Sequence, residues 1–200
     1  MRKIITSILS NILTAIYQPF WFALLAAILL MFLYLFAREH GWKQAVELWL
    51  KSFRTDRMFR KVFLLGFYTI LVLFRTLLNR NMWANPLSDL MGGWGLYNSN
   101  GELTTEAIEN FFLLLPWIML LFWTAGENLL GKRPPCVKVI WTGLKLAFLF
   151  SLSIESLQLL LRLGTFQLSD LFYNTLGGGA GSGLFWLLKK FSPNKRDKGR

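Results

Sequence analysis

Apolar residues gather into five blocks, at about 19–37, 60–78, 110–126, 139–162 and 170–188, with polar segments between them. Blocks of roughly 18 apolar residues are what a helix needs to cross a ~30 Å hydrocarbon layer. The pattern predicts an all-α, polytopic helical membrane protein with about five transmembrane helices. Two other stretches are amphipathic. Over 4–16, Ile4, Ile5, Ile8, Leu9, Ile12, Leu13 and Ile16 share one helical face, opposite Thr6, Ser7, Ser10, Asn11 and Thr14. That run is too short to span, so it reads as an interfacial helix, with Pro19 breaking the pattern before the first span. A single kinked helix over 4–37 is the alternative.

Over 38–59, Trp42, Val46, Trp49, Leu50 and Phe53 oppose Lys43, Gln44, Glu47, Lys51 and Arg54, which predicts a second interfacial helix against anionic lipid. Segment 79–109 is the longest connection. Its NP, GG and NG dipeptides mark turns, Trp83, Trp94 and Tyr97 suit an interface, and Leu103-Thr104-Thr105-Glu106 resembles a helix start. Pro116 falls inside the third span, where neighbouring helices make proline tolerable. Gly177–Gly183 contains Gly177/Gly181 and Gly179/Gly183 at GxxxG spacing, read as close helix packing. It is no phosphate loop, because the preceding strand and the Lys-Ser/Thr ending are missing.

The chain is 54% hydrophobic with a net charge of +11, a charge that by itself would admit nucleic acid as partner. Its placement argues otherwise. Arg38, Lys43, Lys51, Arg54, Arg57, Arg60 and Lys61 precede the second span, Lys132, Arg133 and Lys138 follow the third, and six more Lys and Arg close the chain from Lys189 onward. Segment 79–109 holds Arg80 against Asp89, Glu102, Glu106 and Glu109. Basic short loops stay on the cytoplasmic side, which puts the N-terminus outside and the tail inside; Arg2 and Lys3 run against that assignment. Cys136 and His40 are single, so neither an intrachain disulfide nor a Cys/His metal cage can form, and no cofactor is expected. No cleavable signal peptide is expected, since the apolar character after Ile4–Tyr17 runs on into a full span.

Polar side chains at membrane depth are costly and point to function. Glu155, Gln158 and Arg162 stand at i, i+3 and i+7, and Asp170, Asn174 and Gly177 at i, i+4 and i+7, so each set shares a helical face. Seven residues join the two sets in a tight hairpin. With Arg75, Arg80, Asn85 and Asn110, nearly all these groups fall in the outer leaflet, whereas snorkelling residues would divide between the two faces. Three readings remain. The first is helix–helix glue at ~1 kcal/mol per bond. The second is an outward pocket for the headgroup of a membrane lipid or lipid-linked envelope precursor, with Arg75, Arg80 and Arg162 supplying charge and Gln158, Asn110 and Asn174 hydrogen bonds. The third, weaker than the second, is catalysis with Glu155 as general acid or base.

Glu155, Gln158, Arg162, Gly164, Phe166, Asp170, Asn174, Thr175 and Gly177 together resemble the VanZ-like family of bacterial membrane proteins. The runs Asn85-Pro86-Leu87-Ser88-Asp89 and Gly92-Gly93-Trp94-Gly95 match as well, as do Asn110 with Pro116, and Tyr68, Thr76 and Arg80. The resemblance covers about 62–188. It implies a protein of the bacterial cytoplasmic membrane with a role in the cell envelope, and founding members are linked to low-level resistance to teicoplanin and related lipoglycopeptides. The family's outer loop often reads Asn-Leu-Ile-Pro-Phe where this chain has Asn85-Pro86-Leu87, so the rim of the pocket differs. The expected organisation is therefore 1–60 as an extra span with amphipathic segments, 61–190 as a VanZ-like four-helix core, and 191–200 as a basic tail.

Overall fold

A computed structural model describes residues 5–6, 8–9, 23–24, 26–32, 34–36, 41–78, 85–97 and 103–191, without the side chains of Trp42, Ala45 and Leu78. The amphipathic run 4–16, Arg80 and the tail 192–200 lie largely or wholly outside these residues. The elements among the described residues are helices: α1 (described over Ala26–Phe36), α2 (Trp42–Thr55), α3 (Arg57–Leu73), α4 (Glu106–Leu130), α5 (Cys136–Leu161) and α6 (Leu168–Phe191). A single isolated β-bridge, Tyr97 with Leu103, closes the connection before α4.

Of the five predicted spans, α4 and α5 are long and apolar enough by themselves to cross a membrane. The third helix, α3, is shorter and reaches spanning length only through a π-helical turn, Phe74–Leu78, that continues it. The last, α6, has the length, but Asp170, Asn174 and its glycines dilute its apolar character.

Asp56 is the punctuation between α2 and α3. Its amide donates to Ser52 O at 2.7 Å to close α2, and its carboxylate accepts from Met58 N at 2.7 Å to open α3. The amphipathic helix α2 packs part of its apolar face inward. Trp49 stacks on Phe53 and Phe32 and meets Phe59 and Phe63 edge-on. Together with Ala27, Met31 and Leu35 of α1, these residues form one of two cores. Val46 and Leu50 stay exposed, which leaves α2 an apolar flank of its own.

The other core, built on Val72, Leu114, Ile118, Phe122, Val139, Ala147 and Ile154, belongs to α3–α6. Its organiser is α6, which offers small residues to two neighbours at once. A Cβ on Gly177 would lie 1.9 Å from Phe111 O, and one on Gly181 2.3 Å from Leu115 O, so α6 rests on the bare backbone of α4. Towards α5, Asn174 meets Ser151, Gly178 meets Ala147, and Ser182 meets Gly143. The pairs step by four residues in opposite directions, as an antiparallel seam requires. Of the two predicted small-residue pairs, Gly177/Gly181 forms a face; Gly179 meets the Leu144 side chain and Gly183 meets nothing within 4 Å.

Pro116 interrupts the hydrogen bonding of α4, which lacks a donor for the Phe112 carbonyl. Beside that gap, Tyr68 of α3 donates to Leu113 O at 3.0 Å and Trp117 donates to Thr69 Oγ1 at 2.9 Å. Side chains of a neighbouring helix thus tie down the turn that proline weakens.

Candidate functional site

Chain direction brings four helix ends together. The π-turn that ends α3, the first turns of α4 and α6, and the last turns of α5 meet at one end of the bundle, here the polar end. The opposite end carries Lys61, Lys132, Arg133, Lys138, Lys189 and Lys190 and is the basic end.

Several polar side chains at the polar end reach across to another element. Arg75 of the π-turn pairs with Glu109 of α4, whose other oxygen accepts from Thr105 at 2.5 Å. Asn110 of α4 donates to Asp170 of α6 at 2.5 Å. Asn174 of α6 donates to Ser151 of α5 at 3.0 Å, and Gln158 of α5 donates to Thr76 O in the π-turn at 2.7 Å. Glu155 of α5 accepts from Gln167 N at 3.0 Å, so its carboxylate sits at the N-terminus of α6, where amide donors and the helix dipole favour an anion. Gln158, Glu155 and Asn174 are 1–3% exposed, so these groups are packed against one another.

The same core holds polar atoms with no partner. Gln158 Oε1, Asn174 Oδ1 and Ser169 Oγ are buried and accept or donate nothing among the described residues. Buried polar atoms are nearly always paired, and leaving one unpaired costs about 1–3 kcal/mol, so three at one end of a bundle depart from the usual pattern.

A loop covers this end. Residues 85–97 lace onto the α5–α6 hairpin by backbone bonds from Phe166 N to Pro86 O and from Leu168 N to Leu90 O, both 2.9 Å. Asp89 accepts from Gln167 Nε2 at 3.0 Å and from Gly92 N at 3.2 Å. Gly92 has φ 67° and lies so close to Ser169 that a Cβ would fall 2.0 Å from its hydroxyl. A side chain at 92 would lift the loop from the site.

Glu155, Gln158, Asn174, Asp170, Asn110 and Arg75 therefore converge as their spacing predicts, and two candidates do not join them. Asn85 is exposed and holds its own turn, accepting from Leu87 N and Ser88 N. Arg162 is corrected more sharply. The helical face it was to share with Glu155 ends one residue earlier, because Arg162 is left-handed at φ 55° while Leu163 N returns to Gln158 O at 2.9 Å. This is the Schellman stop, usually made by glycine. It turns the Arg162 side chain out to an exposed position, with no ion pair among the described residues. Residues that sequence reasoning missed are Glu109, Ser151, Gln167 and Ser169. Ser151 is one turn before Glu155, so extending that polar face by one turn would have found it, and Glu109 adjoins the candidate Asn110.

Among the described residues a cavity of about 800 Å3 lies at the basic end, between the start of α3 and the later turns of α4 and α6. Among the described residues no cluster of three or more His, Cys, Asp or Glu side chains could hold a metal ion. In comparison with known proteins, the family model described as VanZ/LLP1 matches residues 20–189. No curated protein and no solved structure matches the chain.

Proposed function

The chain belongs to the VanZ/LLP1 family, and from that premise we propose that the polar end binds the headgroup of a lipid-linked component of the cell envelope and so limits the action of lipoglycopeptides. In this reading the protein is a multi-pass protein of the bacterial cytoplasmic membrane with five spans. The polar end faces outward and the basic end, with the tail, faces the cytoplasm. The reading rests above all on one observation: Gln158 Oε1, Asn174 Oδ1 and Ser169 Oγ are buried without partners among bonds that join four helices. A polar headgroup that enters beneath the 85–97 loop supplies those partners, and the exposed Arg162 at the same end attracts its negative charge.

The alternative, acid–base catalysis by Glu155, gains nothing from the geometry. The Glu155 carboxylate receives the amide that opens α6, a positioning task that a neutral amide oxygen can also perform.

The test is the pair Glu155→Gln and Arg162→Met, each expressed in a sensitive bacterium beside wild type. Membrane level, thermal stability and lipoglycopeptide susceptibility are read together. The account expects Arg162→Met to accumulate with near-wild-type stability and to lose the protection that wild type gives, whereas Glu155→Gln, whose amide oxygen still accepts from Gln167 N, should keep both. Full protection from Arg162→Met, or none from wild type, overturns it, and loss of protection in Glu155→Gln alone favours acid–base catalysis. A Cys136→Ser background with single cysteines at 89 and 189 tests the orientation: membrane-impermeant thiol reagent should label 89 in intact cells and spare 189.

A further inference from the structure

The cavity at the basic end has no part in the function proposed above, and its composition is that of a second site. Its volume of about 800 Å3 is within the ~300–1,000 Å3 usual for small-molecule sites. Glu127, on its wall, follows Glu109 of the polar end by eighteen residues of α4, about 27 Å along the axis. That is close to the ~30 Å thickness of the hydrocarbon layer, so in a bilayer the cavity opens near headgroup depth in the opposite leaflet.

Its floor is apolar. Phe122 and Phe185 lie with ring centroids 5.6 Å apart, and Leu188 extends the surface outward, itself 61% exposed. Its rim is charged. Lys61 is held in place, donating to Trp123 O at 2.9 Å with its ammonium 5.1 Å from the centre of the Trp123 ring. An ammonium has three donors, and that contact uses one. Lys189 stands exposed in the last turn of α6, the end of a helix that favours cations. Glu127 is the one acid among the described lining residues, so the two lysines leave the rim positive.

We infer that this cleft binds an anionic glycerophospholipid. The phosphodiester sits between Lys61 and Lys189, the acyl chains run along Phe122, Phe185 and Leu188, and the distal hydroxyls face Glu127 and Asn128. Charge and shape select this occupant together. A free phosphate would leave the apolar floor bare, and a zwitterionic lipid would leave the rim charge uncompensated.

The experiment uses the full-length protein in a neutral detergent, given phosphatidylglycerol and phosphatidylcholine in competition, with retained lipid counted by native mass spectrometry. Wild type should retain phosphatidylglycerol about tenfold over phosphatidylcholine, a difference of ~1.4 kcal/mol. Lys189→Gln should remove most of that preference, and adding Lys61→Gln should abolish it. Lys132→Gln with Arg133→Gln, equally basic and at the same end but outside the cleft, should leave it unchanged. An equal loss from that control pair overturns the inference in favour of diffuse surface charge. Equal retention of the two lipids, or preference for phosphatidylcholine, overturns the anionic assignment, and displacement by millimolar inorganic phosphate overturns the lipid. Should the Lys61 variant fail to accumulate, Lys189→Gln alone decides, since that side chain is exposed.

Discussion

The two ends of the α3–α6 bundle solve the same packing problem in opposite ways. At the polar end, helices approach until their polar side chains bond one another and are buried. At the basic end, apolar side chains and lysines leave about 800 Å3 unfilled. The difference lies along one face of α6. Gly177 and Gly181 let that helix lie on the α4 backbone, and one turn further on the same face carries Phe185, which reaches Gly126 and Phe122 by its ring. Glycine draws the helices together where the polar groups must meet, and phenylalanine holds them apart where the cleft opens.

The largest effect should come from the glycines themselves. Gly181→Ala places a Cβ against Leu115 O, which only a backbone shift can relieve, at a cost of about 1–3 kcal/mol or more. Gly183→Ala meets nothing within 4 Å among the described residues and should be neutral or stabilising by up to ~1 kcal/mol, since alanine suits a helix interior better than glycine. Thermal unfolding of the two variants in detergent checks this, and equal stability would remove the glycine account. Next comes Asn110→Leu, which takes a donor from Asp170 and should cost about 1–3 kcal/mol. Leu188→Ala at the basic end should cost under ~1 kcal/mol by the same measurement, because its side chain is mostly exposed. Arg75→Met should cost ~1 kcal/mol or less, since the arginine of that ion pair is 29% exposed and solvent screens it. The smallest effect is a gain: Arg162→Gly relieves a left-handed arginine and should stabilise by up to ~1 kcal/mol.

Polarity was readable in the chain, and volume was not. Helical spacing sufficed to place Glu155 beside Gln158 and Asp170 beside Asn174, because period alone decides which residues share a face. It could not show that α5 stops at Leu161, since an arginine in a glycine's position carries no local signal of a left-handed turn. The helix start near Glu106 was legible from Thr105 and the acids after it, whereas the π-turn that carries Arg75 and Thr76 has no counterpart in the pattern. The cleft was invisible for a plainer reason. Phe122, Trp123, Phe185 and Leu188 read as ordinary lipid-facing residues, and the space between them exists only once three helices are placed. Whether the polar cluster is glue or site is likewise beyond spacing, because both readings use the same bonds.

Ser169→Ala separates those readings most directly. The Ser169 hydroxyl is buried and has no partner among the described residues, so its loss breaks no bond seen among them. The account predicts wild-type membrane level and an unchanged or slightly raised Tm, together with loss of the lipoglycopeptide protection that wild type confers. Full protection by the Ser169→Ala protein would contradict the binding role of the polar end and leave the cluster as helix packing.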